Sequence, residues 1–388
     1  MRILTLSDSD SYLKWAVSLT ARVPEQWAVR HLVVENVIAP SPAQVEAILA
    51  DAPGRAIGRT PASTLARSVK RLRPDVVLVA ATGPAVSGIM DLLGWGGVLG
   101  PDRPVLVTGL PGISFPANEL AVRHRQGFDL MVLHSHRERS AYAEVSLRMA
   151  GPEIALAHLP FLRMVPPTPA GGNEVVFAAQ SLVPAEPERR RALLGALAEL
   201  PSTLRPVVKV RALAGERQAH NERYPYAELW RGMEQKREIE FRAGSMAVAL
   251  RRAAGFVTVS STAVLEAIAA GVPSLVLDEW GVSGELINAV FADSGLLGGL
   301  DDLAAGRFAT PHPDWLRDNY FHPGTDNDWV ERIRDLVESR AEGRLAAYAG
   351  GPVESWPTRL RRQLRLQPPA WAWRGSRALR RATGRSRR

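Results

Sequence analysis

Two Rossmann-like, doubly wound α/β domains facing a central cleft are the fold that the sequence predicts. Three observations predict it. Short β-branched or apolar runs alternate with helix-like stretches, a Pro/Gly-rich segment interrupts the pattern near the middle, and the same alternation then restarts. At roughly 100–200 residues per domain, a chain of 388 residues has room for two such units.

In the first half the expected strands are Arg2–Leu6, His31–Ile38, Asp75–Ala81, Pro104–Thr108, Asp129–His134 and Ile154–His158. Runs of this kind suit strands buried on both faces of a parallel sheet. Pro42–Ala52 and Pro61–Arg71 read as intervening helices. The break is Pro166-Pro167-Thr168-Pro169-Ala170-Gly171-Gly172, a linker composition. Beyond it the expected strands are Glu174–Ala179, Pro206–Arg211, Gly255–Ser260 and Pro273–Leu277. The resulting division is an N-terminal domain over residues 1–165, a linker over 166–173, a C-terminal domain over 174–345 and a tail over 346–388. In such folds ligands bind at the carboxyl ends of the strands, so the residues just after each strand are the candidates for chemistry.

Composition sets outer limits. There are no cysteines, which excludes disulfides, thiolate zinc sites and cysteine nucleophiles and fits a cytoplasmic protein. No run of about 18 apolar residues suggests a membrane span, and the apolar run at the N-terminus is too short for a signal peptide. The net charge of +8 is uneven: residues 355–388 hold 11 arginines and no acid, so the body over 1–354 stands at −3. Arginines interleaved with Trp371 and Trp373 suit an anionic membrane surface, which would place a cytoplasmic protein peripherally at the inner face of the membrane. A solvated tail and a nucleic-acid arm are the rival readings, the latter the weakest.

The most informative segment runs from Gly255 to Asp278: strand, sharp turn, helix, glycine stop, strand. Ser260, Ser261 and Thr262 stand where the strand gives way to the helix. Hydroxyls there cap a helix, and free N–H groups at a helix start also suit a phosphate. Glu266 lies one turn further in. Capping alone accounts equally well for the hydroxyls. The string Ser-Ser-Thr-Ala-x-x-Glu-Ala-x-Ala-x-Gly-x-Pro resembles the donor-site motif in the C-terminal domain of GT-B glycosyltransferases. That resemblance implies a nucleotide-sugar donor held by Ser260, Ser261, Thr262 and Glu266, with the glutamate on the ribose and any magnesium arriving with the nucleotide. It also implies a first domain that binds a cell-surface glycan or lipid-linked acceptor, and so a role in polysaccharide biosynthesis.

Polysialyltransferase-like and poly-glycerolphosphate transferase-like enzymes pair a similar hydroxyl motif with an upstream His-Pro. Here the corresponding strand reads Val207-Val208-Lys209-Val210-Arg211. Lys209 and Arg211, on alternate positions and hence one face, are the cations available for donor phosphate, and His220 is a second candidate. Two other readings stay open: a nucleotide-sugar epimerase of the same fold, and a non-catalytic binding protein of glycan assembly.

On the acceptor side, Asp8 and Asp10 follow the first strand and are candidates for the general base of an inverting transferase; Asp8 or Ser9 can instead cap the next helix. Gly109, in Thr108-Gly109-Leu110-Pro111-Gly112, allows close backbone approach to a ligand, although the segment lacks both the P-loop and the dinucleotide spacing. His134 is a third base candidate, while Ser135 and Glu138 read as a capping box. The resemblance to GT-B glycosyltransferases, whose loop in this place contacts donor sugar or acceptor, implicates Asp278 and Glu279 secondarily; a plain acidic turn is the alternative. The aromatics of 312–323 read as packing. No His/Asp/Glu spacing predicts a metal site.

Overall fold

The computed structural model of the chain describes residues 1–350, except residues 51, 53, 165, 166, 170, 181, 182, 211–222, 235 and 236. The basic tail, Arg211 and His220 therefore lie outside the described residues.

Among the described residues thirteen strands are assigned. The first seven are β1 (Arg2–Ser7), β2 (Ala28–Val34), β3 (Ile57–Thr60), β4 (Val76–Ala80), β5 (Val105–Gly109), β6 (Leu130–Leu133) and β7 (Glu153–Leu156). They form one parallel sheet in the order β3-β2-β1-β4-β5-β6-β7. The remaining six are β8 (Glu174–Ala178), β9 (Arg205–Lys209), β10 (Glu240–Arg242), β11 (Ala253–Thr258), β12 (Ser274–Leu277) and β13 (Leu297–Gly298). They form a second parallel sheet in the order β10-β9-β8-β11-β12-β13. Each sheet places its first strand beside its second and its fourth. This is the doubly wound order, and it puts a topological switch point between β1 and β4 and another between β8 and β11.

The alternation of side chains along β1, β4 and β5 supplies two cores. Leu4, Leu6, Val77, Val79 and Leu106 pack on one face, with Val86, Ile89 and Leu93 of the helix Gly83–Trp95. Ile3, Val76, Leu78, Val105 and Val107 pack on the other, with Trp15 of the helix Asp10–Thr20. Burial on both faces is why these strands read as unbroken apolar runs. The second sheet divides in the same way, with Val175, Phe177 and Val257 on one face and Val176, Ala178 and Phe256 on the other.

Strand ends shift by a few residues from the sequence reading, and two differences have a structural cause. β2 stops at Val34, short of the expected Ile38, because Asn36 folds the chain over. Its Nδ2 donates to the carbonyls of Asp8 and Val34 at 2.9 Å each, and its Oδ1 accepts from the Ile38 amide at 2.7 Å. The second difference concerns residues 329–345, which the sequence groups with the second half. The helix Trp329–Ala341 packs on the first lobe: Trp329, Ile333, Leu336, Val337 and Leu345 join the cluster of Ile3, Trp15 and Val107. Asp328 fixes the return, its Oδ1 accepting from Leu156 N at 2.7 Å and its amide donating to Leu156 O at 3.1 Å. The chain thus crosses between lobes twice. Of the outward linker, Thr168 is fastened to the second lobe, donating to Ala270 O and Leu250 O.

Trp329 is 4% exposed at the centre of that return contact. Trp329→Ala is expected to cost about 3–5 kcal/mol, the usual range for a buried aromatic cut to alanine, read as a lower urea midpoint with the slope unchanged.

Candidate functional site

The second-lobe side of the site is the turn between β11 and the helix Ala263–Ala269. Ser260 is buried, and its amide donates to Gln180 Oε1 at 3.0 Å while its hydroxyl lies 3.1–3.2 Å from the Gln180 amide group. Gln180 lies two residues beyond the end of β8, so the pair spans the switch point of this sheet. Ser261 N donates to Thr258 Oγ1 at 3.0 Å, and Ser261 Oγ accepts from Ala263 N at 3.3 Å. Thr262, half-buried, forms no capping bond with its side chain. The helix ends as predicted at Gly271, whose φ is +74°. Val272 N donates to Ala267 O and Gly271 N to Ile268 O, the paired bonds of a Schellman stop.

Glu266 is half-buried on this helix. Burial pushes its carboxyl upward, and the charges of Lys14 and Lys209 oppose that rise. Lys209, the last residue of β9, is buried, with Nζ donating to Val210 O at 2.8 Å. Lys14 is exposed and belongs to the first-lobe helix Asp10–Thr20. The Glu266 carboxyl therefore lies in the field of one lysine from each lobe.

The first-lobe side approaches closely. A Cβ built on Gly112 would lie 3.3 Å from Thr262 Oγ1, and one on Gly284 would lie 3.1 Å from Pro116 Cγ. Ile113 and Phe115 pack against the second-lobe cluster, and Arg137 Nη1 donates to Val290 O at 3.4 Å. The loop after β5 and the loops after β11 and β12 thus form the two walls.

Asp8 lies at the end of β1, 0% exposed. Its Oδ2 accepts from Thr82 Oγ1 at 2.6 Å and from Thr82 N at 3.0 Å, which spans the first switch point just as Gln180 and Ser260 span the second. Burial raises its pKa, with the Thr82 bonds acting against the rise, and Oδ1 has no partner. Asp10 sits elsewhere. It opens the helix Asp10–Thr20 and accepts from Gln44 Nε2 at 3.4 Å, toward the helix Pro42–Ala50.

Two other candidates take structural positions. His134 is fully buried. Its Nδ1 donates to Ala157 O at 2.9 Å, and its Nε2 accepts from Trp15 Nε1 at 2.7 Å. Both nitrogens are committed, and burial pushes the pKa down to about 4. Such an imidazole is a neutral core group and has no lone pair free for an acceptor hydroxyl. Gly109 is explained by packing as well, since a Cβ there would lie 2.5 Å from Trp15 Cη2 and 2.7 Å from Val132 O. In the acidic loop after β12, Glu279 Oε2 accepts from Leu300 N at 3.0 Å, while Asp278 O accepts from Gly281 N at 2.7 Å. Asn288, which sequence reading passed over, holds this loop by accepting from Ser283 N and donating to Gly281 O.

Glu138 departs from the capping box. Ser135 does cap its helix, accepting from Glu138 N at 3.0 Å. The Glu138 carboxylate turns away: it accepts from Ser114 N at 2.6 Å, from His134 N at 3.3 Å and from Tyr320 Oη at 2.5 Å. Tyr320 belongs to the return crossing and is buried with Trp315 in the second-lobe cluster, as the packing reading of this stretch expects. Glu138 thus joins the first-lobe sheet, the wall loop and the crossing segment. Burial pushes its pKa up to about 7 despite those three donors.

Two parallel-sheet lobes with matching strand order, and a cleft walled by loops at the strand ends, define a GT-B-type protein. Solved structures share this architecture. UDP-GlcNAc 2-epimerase from Methanocaldococcus jannaschii superposes with a TM-score of 0.55 at 12% identity, covering 86% of this chain and 99% of that one. The S. aureus MnaA–UDP co-structure gives 0.51 at 12% identity, covering 93% and 94%. The apo lipopolysaccharide outer core galactosyltransferase WaaB gives 0.50 at 11% identity, covering 89% and 100%. No curated protein matches the chain. A family model matches residues 3–336, and the chain belongs to that family, described as "putative glycosyltransferase (DUF6716)".

A carboxyl raised from 4.5 to about 7 favours the folded state in its protonated form. Its contribution is complete below pH 4.5 and is lost as pH rises through about 7. Glu138→Gln, which cannot titrate, is expected to flatten the stability profile across that window, measured as urea midpoints at closely spaced pH values. Gly109→Ala is expected to destabilise by about 1–3 kcal/mol through overpacking against Trp15, with no change in nucleotide binding beyond what lost stability explains.

Proposed function

We propose that this glycosyltransferase moves a sugar from a nucleotide-activated donor in the second lobe to a glycan or lipid-linked acceptor in the first. The observation that carries this reading is convergence at one cleft. The Ser261–Thr262 turn, Glu266 and Lys209 of the second lobe meet the Gly112 loop and Lys14 of the first. Hydroxyls and backbone amides with adjacent lysines suit a diphosphate, and a carboxylate suits ribose hydroxyls. Ser260 is spent on Gln180 and would hold the turn rather than the ligand. Two of the neighbours carry UDP or UDP-GlcNAc in their names, which supports a nucleotide donor here. Closing the lobes would exclude water from an activated sugar.

Asp8 is the base under this reading, since it has a raised pKa and one unpartnered oxygen. Because it is fully covered, the acceptor hydroxyl reaches it only as the loops after β1 and β4 part. The tail, with its arginines and Trp371 and Trp373, would bring the enzyme to an anionic membrane surface and so to lipid-linked acceptors. Among the described residues no helix is long and apolar enough to cross a membrane.

Thermal-shift measurements with UDP, CDP, CMP, GDP and ADP on wild type and Glu266→Ala test the donor site. One nucleotide stabilising wild type well above the variant is the expected result, and no stabilisation by any of the five would remove the reading. Product analysis with the matching nucleotide sugar then separates transfer from isomerised sugar. Asp8→Asn keeps an acceptor for Thr82 and should lower kcat by about 10²–10⁴-fold, whereas Asp10→Asn should leave it near wild type.

A further inference from the structure

A cluster outside the cleft walls remains unexplained by glycosyl transfer. His136 opens the first-lobe helix His136–Arg148, and His322 and Asp326 belong to the return crossing that precedes the helix Trp329–Ala341. One ring nitrogen of each histidine and one carboxylate oxygen of Asp326 lie within 4.8 Å of one another. His136 Nε2 and Asp326 Oδ2 are 2.9 Å apart, and their side chains are 38% and 31% exposed. An ion can therefore reach them from solvent.

His322 is what a simple ion pair does not explain. It is 2% exposed. Its Nδ1 lies 3.1 Å from the Pro323 carbonyl, and a carbonyl only accepts, so Nδ1 carries the proton. Nε2 is then a bare lone pair, and it has no hydrogen-bond partner although it is buried. Leaving such an acceptor dry and unpaired costs on the order of 1–3 kcal/mol. The ring is held firmly for this. His158 stacks on it at 4.5 Å with planes 10° apart, and His158 Nε2 donates to His322 O at 2.6 Å. An imidazole whose Nδ1–H is fixed by a backbone carbonyl and whose Nε2 is free has the form of a metal-ligating histidine.

We propose that His136, His322 and Asp326 bind a first-row divalent transition-metal ion, with zinc the best match to two imidazoles and one carboxylate. Zinc bonds of about 2.0–2.2 Å require ligand atoms roughly 3.2–3.6 Å apart. The half-exposed His136 and Asp326 adjust to this spacing around the fixed His322. His136 Nε2 gives up its proton, to Nδ1 or to solvent, if the ion takes that nitrogen. The fourth position is left to water. Because His136 lies on the first lobe and the other two on the crossing, the ion staples the returning chain in place. The site does not depend on the cleft reading.

The test uses the full chain, stripped with a chelator and titrated with Zn²⁺ against a chromogenic competitor. One ion per chain is expected for wild type, with affinity weakened about tenfold or more in Asp326→Asn and in His136→Gln. Both positions are half-exposed, so the stripped variants should keep the wild-type urea midpoint. Co²⁺ in place of Zn²⁺ should give visible d–d absorption in wild type that both variants lose. Zinc binding of equal strength in wild type and both variants, or no binding that survives the competitor, overturns the proposal. Loss of binding at this site while nucleotides still stabilise the protein would separate it from the donor site.

Discussion

The strand order of the two sheets is the constraint on which the rest depends. Placing β1 between β2 and β4, and β8 between β9 and β11, sends the chain away in opposite directions from neighbouring strand ends. That leaves a crevice beyond the carboxyl ends of the two neighbouring strands in each sheet. Both lobes bridge the crevice in one way: the side chain that follows the first strand reaches across to the residues that follow the fourth. Asp8 accepts both donors of Thr82, and Gln180 accepts the amide of Ser260. These bonds fix where the next helix in each lobe begins, and so where any ligand would meet backbone amides.

The lobes are joined by more than two crossings of the chain. A fully buried carboxylate, Glu138, collects donors from the first-lobe sheet, from the wall loop at Ser114 and from Tyr320 in the crossing. Burial disfavours its charge while these donors favour it, and the balance leaves it near neutrality. A buried group in that position is costly if any one donor is lost, since an unpaired acceptor then stays dry. The wall that approaches Thr262 is therefore held by a group that also reports on the crossing segment.

Much of this was legible in the sequence, and the failures have physical causes. The central strands were found because burial on both faces leaves long apolar runs, as in Val76-Val77-Leu78-Val79-Ala80. The strands missed were β3, β10 and β13, all short and at sheet edges; β3 and β10 carry polar residues, as in Glu240-Phe241-Arg242, and β13 is only two residues long. A strand with a solvent-facing side has no continuous apolar signal. Residues 329–345 were grouped with the second half because chain order alone does not show which core buries the apolar face of the helix Trp329–Ala341. Among site residues, the hydroxyl turn, Glu266 and Lys209 were brought together. His134 and Gly109 were misread, since Trp15, far away in the chain, accounts for both: it donates to the histidine and fills the space beside the glycine. Gln180 was readable, since it follows β8 as Asp8 follows β1. Lys14 was not, because only the docking of the lobes brings its charge to Glu266.

That last pair bears on how the cleft would handle an anion. An ammonium is a compact point charge with three donors on a flexible stem. Lys209 is held by the Val210 carbonyl at the end of β9, so its position is set by the sheet and not by the ligand. Lys14 is exposed and on the opposite lobe. Both cations act on Glu266 and favour its ionised form against burial. A diphosphate placed between them would compete for the same two charges. On the proposed reading, donor binding then weakens the support for the Glu266 carboxylate unless the carboxylate gains donors of its own, and the hydroxyls of a ribose are donors of the right kind. On that reading the two lysines tie the phosphate and ribose ends of the donor into one electrostatic unit.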